Sequence, residues 1–424
     1  MSERDDVAFP GADARYLTAD AAPVGGRLRE RPEDFLVEEQ PLYEPCGEGE
    51  HVYLFVQKRD IATSEVAALL AKHFRVRPRD VGYAGMKDKV AITRQLFSVH
   101  VPGKRPEDFP PFEHERAQAL WVDLHTNKLR VGHLRGNRFS VRIRGTDMSR
   151  ALHAANALRT LERLGAPNFA GEQRFGARQN NHLLGALDLA GDAQRLLDEL
   201  LGPDERHPDM NAAARDAYTR GDYAAAADLH PRTARAERAA LLALARGSSP
   251  ERAVRAVDDT QRRFWISAFQ SAVFNRLLRE RIEAGALGDL EEGDLAWKHD
   301  NGAVFMVRPE TLDEPDLRER LDSLAISPSG PLWGPEMTRA EGAAGEREAA
   351  ALAATGVTLD MMRVFGERSR QRIAGARRPM RVPVIDPDVE GGVDEHGHYV
   401  RCAFELPAGA FATVVLREVM KPDI

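Results

Sequence analysis

Asp88 is the residue in this sequence best placed to do chemistry. It lies between Lys87 and Lys89, and Gly82 and Gly85 precede it in the same short stretch. Two cations next to a carboxylate favour its ionised form. The glycines leave room for a bulky substrate to approach the backbone closely. This arrangement suits a carboxylate that acts as a nucleophile, or through its charge, on an anionic ligand.

The same stretch could also be interpreted as a phosphate-binding loop. A Walker-type loop requires Gly-x-x-x-x-Gly-Lys-[Ser/Thr], whereas here Met86 and Asp88 flank Lys87. The Asp88 carboxylate would also repel a β-phosphate. The pattern therefore argues against a nucleotide-binding enzyme. The residues alone leave open that Asp88 only caps a turn or pairs with Lys87.

Composition predicts an ordinary globular protein. The chain has 424 residues, which suggests two or three domains at about 150 residues each. No run approaches the roughly 18 apolar residues of a membrane span. The polar, acidic N-terminus does not look like a secretory signal, so we expect a cytoplasmic location. With only Cys46 and Cys402, we expect neither a disulfide framework nor a zinc cluster.

The net charge of −7 argues mildly against a nucleic-acid-binding protein. Phosphate contacts, however, need a basic face rather than a basic total. Two stretches could form such a face, although a run of charges is more often only a solvated surface. One contains Arg363, Arg368, Arg370, Arg372, Arg377, Arg378 and Arg381; the other contains Lys128, Arg130, Arg135, Arg138, Arg142 and Arg144.

The elements around Asp88 are predicted to be strands with one short helix. Alternating apolar residues indicate strands at 51–56, 95–101 and 139–144. Residues 66–74 are typical of a short amphipathic helix, with an N-cap offered by Thr63-Ser64-Glu65. The first third of the chain is therefore predicted to be α+β with an antiparallel sheet.

The middle of the chain changes to helical periodicity. Residues 264–278 give the most regular helical pattern, and the Ala-rich stretch 192–255 predicts several further helices. Strand-like alternation returns after Pro379, at 400–406. We therefore expect a discontinuous α+β domain that is interrupted by an insertion at about 167–378.

Five short segments, taken in order, resemble the motifs of the TruD family of pseudouridine synthases. Five motifs in the family's order make chance agreement very unlikely. They are RPEDFLVEE at 31–39, GYAGMKDKVAITRQ at 82–95, RGNRF at 135–139, PNFAGEQRFG at 167–176 and LPAGAFAT at 406–413. The resemblance implies a pseudouridine synthase catalytic core with an antiparallel, mixed-order sheet, in residues 1–166 and 379–424. A largely helical TruD insertion domain would occupy residues 167–378.

The resemblance also implies an activity. The expected reaction is isomerisation of uridine, at position 13 of tRNA, to pseudouridine by an aspartate-dependent mechanism that needs no cofactor. The expected partner is tRNA; neither a membrane nor a protein partner is implied. A rival hypothesis is a non-catalytic RNA-binding protein with the same fold, but the presence of Asp88 with all its flanking motifs argues against it.

The resemblance assigns roles to individual residues, each of which has a plainer alternative. Phe35 and Phe411 could be core aromatics, and Asn137 could serve a turn. Phe139 resembles a position where other pseudouridine synthases carry tyrosine; a phenyl ring can stack on uracil but cannot donate a proton. No metal is expected, since the two histidines His396 and His398 are more often part of an exposed turn than a metal site. The roles implied are Asp88 as the catalytic residue, Phe35, Asn137, Phe139 and Phe411 as substrate-binding residues, and Arg29, Arg31 or Lys87 as the cation partner of Asp88.

Overall fold

The structure, a computed structural model, describes residues 14–421 and contains two compact units. One unit comprises residues 16–166 and 382–421, and the other comprises 167–381 together with 14–15. The sequence placed the second boundary at 378, three residues earlier than the unit boundary. The predicted beginning of the core at residue 1 and its end at 424 lie outside the described residues. That the two units act as catalytic core and insertion domain stays a prediction.

The first chain segment supplies most of the sheet in the unit that contains Asp88. Burial alternates along residues 35–39, 54–58 and 139–143, so these strand segments have one inward and one outward face. The elements are β1 (Phe35–Pro41), β2 (His51–Arg59), α1 (Thr63–His73), β3 (Val81–Tyr83), β4 (Ile92–His100), β5 (Glu113–His114), β6 (Ala117–His125), β7 (Leu134–Arg144) and α2 (Ala151–Leu164).

The middle segment is largely helical, as predicted, but it also contains a four-stranded sheet that the sequence pattern did not reveal. Two short strands, β8 (Ala166–Pro167) and β13 (Arg381–Val382), mark where the chain passes from one unit to the other. Between them lie α3 (Asn181–Ala190), α4 (Ala193–Leu201), α5 (Ala212–Thr219), α6 (Tyr223–Leu229), α7 (Arg235–Ala245), α8 (Pro250–Arg255), α9 (Asp259–Glu283), β9 (Leu295–Lys298), β10 (Val304–Met306), α10 (Pro309–Leu312), α11 (Leu317–Asp322), β11 (Ile326–Leu332), α12 (Gly342–Ala353), α13 (Leu359–Ser369) and β12 (Ala376–Pro379).

The last segment returns to the first sheet with β14 (Ile385–Asp394), β15 (Gly397–Pro407) and α14 (Ala412–Met420). The sheet has nine strands in the order β14-β15-β7-β1-β4-β2-β6-β5, with β3 paired to β4. β1 and β4 run parallel, whereas β15 and β7 run antiparallel. The predicted α+β fold with a mixed-order sheet is therefore confirmed.

One face of this sheet is covered by helices. Val141 of β7 and Cys402 of β15 are buried with residues of α2 and α14 in a single apolar cluster. Farther along the sheet, Val52 and Leu54 of β2 pack with Val66 of α1 in a second cluster. Burial of these side chains fixes the register of the strands, since a slip of one residue would turn them outward. No helix among the described residues is long and apolar enough to cross a membrane.

Candidate active site

Asp88 lies in the loop of residues 84–91, between β3 and β4. Its side chain is 38% exposed, so the carboxylate is open to solvent on one side. On the other side, a guanidinium nitrogen of Arg29 donates a hydrogen bond of 2.6 Å to a carboxylate oxygen of Asp88. A charge-assisted hydrogen bond of this length orients the carboxylate.

Arg29 lies in the segment that precedes β1, and its position is set by the backbone of that segment and by a ring contact. Its φ angle is +59°, a left-handed conformation that few non-glycine residues adopt and that is often found at functional sites. The guanidinium carbon lies 4.5 Å from the centroid of the Phe35 ring, which is cation–π geometry. Two residues upstream, Arg27 forms an isolated β-bridge with Arg144. Arg29 therefore lies between Phe35 and Asp88, and of the three predicted candidates it is the one paired with Asp88.

Lys87 does not pair with Asp88, although the two residues are neighbours in the sequence. Its ammonium forms an ion pair with Glu39 of β1. Both side chains are almost fully buried, at 6% and 1% exposure, and a buried carboxylate requires a charged partner. Glu39 also accepts a hydrogen bond from the Leu96 amide. The prediction of Lys87 as a partner of Asp88 was therefore wrong, because the buried Glu39 takes the Lys87 charge.

Two side chains outside the loop fix its backbone before Asp88. The side-chain amide of Gln95 donates to the Gly85 carbonyl at 3.1 Å, and the Lys87 amide donates to the Thr63 hydroxyl at 3.0 Å. The Thr63 hydroxyl in turn donates to Gln95 at 2.9 Å. The predicted N-cap role of Thr63 is wrong: α1 begins at Thr63 and its N-cap residue is Ala62. The hydroxyl serves the Asp88 loop instead.

Lys58 is a residue near Asp88 that sequence reasoning missed. It is fully buried in β2, and its ammonium donates to the carbonyls of Asp88 at 2.7 Å and Ile61 at 2.8 Å. Burial lowers the pKa of Lys58 to about 8, and the nearby Asp88 carboxylate partly opposes this change. The available signal was the alternation of β2, because Lys58 continues the inward-facing row that begins at Val52.

The rings of Phe35 and Phe139 meet edge to face, with centroids 6.4 Å apart at 72°. Phe139 also contacts Phe404, with centroids 5.7 Å apart. Phe35 and Phe139 are 2% and 7% exposed and belong to the apolar cluster of the sheet. The structure thus places both rings in the apolar core, with Phe35 beside Arg29. Their contact with a substrate stays a prediction.

Asn137 lies inside β7, opposite Glu39 of β1 and Leu406 of β15. The alternative role in a turn is therefore excluded, since a paired strand residue occupies extended backbone. Its side-chain carbonyl oxygen is buried and has no hydrogen-bond partner among residues 14–421. An unpartnered acceptor of this kind is costly to bury, and a ligand N–H group would satisfy it.

Phe411 immediately precedes α14 and is half-buried. The segment that contains it is tied to the Asn137 strand, because the Ala408 amide donates to the Arg135 carbonyl at 3.1 Å. Two of the motifs that lie far apart in the sequence are thus neighbours in this unit. A contact of the Phe411 ring with substrate stays a prediction.

The Arg-rich stretch 363–381 does not form one basic face. Arg377 is buried in an ion pair with Glu348, and Arg381 is buried against Ser327. In the second basic stretch, Arg144 is buried between two aspartates. Arg130 and Arg135 are exposed and form no ion pair within the described part of the chain. Arg363, Arg368, Arg370 and Arg372 are exposed, whereas Arg377 and Arg381 are buried. Whether the exposed arginines bind RNA or are only a solvated surface stays open.

Arg130 and Arg135 flank the turn that contacts the Asp88 loop. The Gly132 amide in this turn donates to the Ala84 carbonyl at 2.8 Å. The two exposed cations therefore flank a turn that bonds to the first residue of the Asp88 loop. In this unit, the Asp88 carboxylate is partly exposed and paired with Arg29, and Asn137 on β7 has a buried acceptor without a partner among residues 14–421.

Comparison with known proteins identifies the family of this chain. The model of the family described as "tRNA pseudouridine synthase D (TruD)" matches residues 12–419. The chain is similar to the tRNA pseudouridine synthase D of Geobacter sulfurreducens, with 43% identity over 96% of this chain and 97% of the relative. The relative from Geobacter metallireducens is 42% identical over 96% of this chain and 98% of its own length.

A solved structure supports the same assignment. The crystal structure of the putative tRNA pseudouridine synthase D from Methanosarcina mazei superimposes with a TM-score of 0.79 and 26% identity, covering 97% of each chain. Family match, sequence identity and fold agree over nearly the whole length. The chain therefore belongs to the tRNA pseudouridine synthase D (TruD) family, whose members are pseudouridine-forming isomerases.

Proposed function

We propose that this protein isomerises uridine to pseudouridine at position 13 of tRNA, with Asp88 as the catalytic carboxylate. The pairing of Asp88 with Arg29, in a chain that the family model matches over residues 12–419, is the observation that carries the proposal. The relatives are named as tRNA enzymes, which supports tRNA as the substrate. A tRNA substrate is also consistent with the expected cytoplasmic location.

The chemistry requires little beyond a positioned carboxylate. The bond between uracil N1 and ribose C1′ breaks, the base rotates, and C5 bonds to C1′; C5 then loses a proton and N1 gains one. An ionised Asp88 can act as a nucleophile or as a base in this sequence. Arg29 keeps the carboxylate oriented while the substrate binds. All atoms of the product are already present in the substrate, so the balance needs no co-reactant.

Recognition of a uridine can be assigned to groups at the same site. The free side-chain carbonyl of Asn137 is suited to accept the N3–H of uracil. Arg130 and Arg135 are suited to contact phosphates, which position an RNA without specifying its sequence. The target base must leave its stack to reach Asp88, at a cost of a few kcal/mol, and phosphate contacts would offset that cost.

The proposal is tested by Asp88→Asn. We expect tritium release from tRNA labelled at uridine C5 to fall at least 1,000-fold, roughly the scale on which loss of an essential catalytic group acts. Binding of the same tRNA should change less than about threefold, since the substitution keeps the shape of the side chain. Asp313→Asn, an exposed aspartate in the other unit, is the matched control.

Near-normal turnover by Asp88→Asn would refute the assignment of the catalytic residue. The position of the target is tested separately, by mapping pseudouridine in tRNA treated with the wild-type enzyme. Product at positions other than 13 would refute the site assignment but not the role of Asp88.

A further inference from the structure

We propose that Lys58 is a positioning residue of this enzyme, whose ammonium group holds the main chain at Asp88 and so aligns the carboxylate for reaction. The inference rests on the proposed role of Asp88. It adds a residue that lies on a different element and that has no contact with solvent.

The geometry points to Asp88 itself rather than to the loop in general. Gln95 and Thr63 hold the loop at Gly85 and at the Lys87 amide, both before Asp88. Lys58 alone of these groups bonds to the main chain of Asp88, at 2.7 Å. Arg29 fixes the carboxylate end of the same residue. Asp88 is thus held at its backbone by one cation and at its side chain by another.

Burying the Lys58 ammonium costs more free energy than burying a neutral donor that could make the same two hydrogen bonds. Desolvation of an unpaired charge disfavours it strongly, and Lys58 forms no ion pair among the residues described. The attraction of the Asp88 carboxylate is the largest opposing contribution, followed by weaker attractions from Asp60 and Glu65 and a repulsion from Lys87. The Lys58 charge therefore depends chiefly on the carboxylate whose backbone it holds.

A purely structural role would be different. In that case Lys58 would act mainly through its hydrogen bond to the Ile61 carbonyl, which joins β2 to the segment before α1 and would stabilise the fold. Loss of Lys58 would then lower stability and RNA affinity together with activity. A positioning role instead predicts a loss in the chemical step that exceeds any loss in binding.

The test compares Lys58→Met, which has a similar length but no charge, with Lys104→Met, an exposed lysine in the same unit. Single-turnover tritium release, tRNA affinity and thermal unfolding are measured for each. We expect Lys58→Met to slow the single-turnover rate about 100-fold, the effect of roughly 1 Å of misplacement, with tRNA affinity within threefold. A rate within twofold of wild type, or a loss of affinity equal to the loss of rate, would overturn the proposal.

The pH dependence gives a readout that does not depend on Lys58→Met folding well. Because the pKa of Lys58 is about 8, the wild-type rate should fall as the pH rises through that value. Lys58→Arg keeps a positive charge at all these pH values, so this alkaline decrease should disappear. An unchanged decrease in Lys58→Arg would overturn the role. Asp88→Asn is run in parallel: if it is active, the proposed function fails, whereas an inactive Asp88→Asn with a fully active Lys58→Met rejects only the role of Lys58.

Discussion

The ammonium of Lys87 is paired with Glu39 on β1 and not with Asp88, its neighbour in the chain. This pair anchors the Asp88 loop to the middle of the sheet, at a point where both side chains are removed from water. The Asp88 carboxylate is left to Arg29. Two adjacent charges of opposite sign thus have separate partners, which keeps the loop fixed while one carboxylate remains available to a substrate.

Removing the anchor should destabilise this unit. Glu39→Gln leaves the Lys87 ammonium buried without a counter-charge, so we expect the free energy of unfolding to fall by about 3 kcal/mol in urea denaturation. Glu39→Gln combined with Lys87→Met should recover part of this loss, because the unpaired charge is gone. Glu405→Gln, which affects an exposed arginine partner, serves as the control. If Glu39→Gln costs no more than Glu405→Gln, the pair does not anchor the loop.

Arg29 should affect the chemical step more than binding. Arg29→Met removes a charge-assisted hydrogen bond worth about 1.5–3 kcal/mol, which corresponds to roughly a 10- to 100-fold slower single-turnover rate. Arg29→Lys should lose less, since it keeps the charge but not the planar contact with Phe35. Arg27→Met is the control, because its side chain is exposed and pairs with Glu30. Equal rates for Arg29→Met and Arg27→Met would contradict the role of Arg29.

Arg130 and Arg135 should contribute to RNA affinity through phosphates. Replacing both with glutamine should weaken tRNA binding and reduce the slope of log affinity against log salt by about 1 to 2. Arg363→Gln is a matched control, since this exposed arginine pairs with Asp360. Binding is measured between about 50 and 200 mM salt, roughly the range over which phosphate contacts change the affinity. A wild-type slope in the double variant would contradict the prediction.

His299 should make the unit of residues 167–381 sensitive to acid. Burial, with a smaller effect of Arg381, lowers the pKa of His299 from 6.5 to about 4. The unfolded chain therefore binds a proton below pH 6.5 that the native protein does not accept until about pH 4. Its contribution to stability is complete above pH 6.5 and is lost as the pH falls toward 4.

The loss attributable to His299 is at most about 3 kcal/mol. His299→Gln, which can still bond to Ser327, should show a smaller decrease in unfolding temperature between pH 7 and pH 4 than the wild type. His396→Gln, at an exposed histidine, should behave like the wild type. Identical pH dependence in His299→Gln and wild type would show that this histidine titrates normally.

Periodicity in the sequence was sufficient to predict four strands of the nine-stranded sheet, the long helix around 264–278 and the interrupted order of the fold. It did not reveal the four-stranded sheet of the middle segment. The partners of charged residues were harder to predict. Lys87 and Asp88 are adjacent in sequence, yet the choice between Glu39 and Asp88 depends on the register of β1 against its neighbours. Lys58 was missed because a lysine at the end of a strand usually reaches solvent. Only the fold reveals that its end of β2 lies under the Asp88 loop.

The pairing of β15 with β7 has a consequence for folding during translation. β7 pairs with β15 along the row that includes Phe139, yet the ribosome must first synthesise all of residues 167–381. At translation rates of about 5–20 residues per second, this takes on the order of 10 s or more. During that interval β7 has an open edge and a phenyl ring that its final neighbour does not yet cover. The nascent chain is therefore expected to depend on chaperones until its last strand emerges.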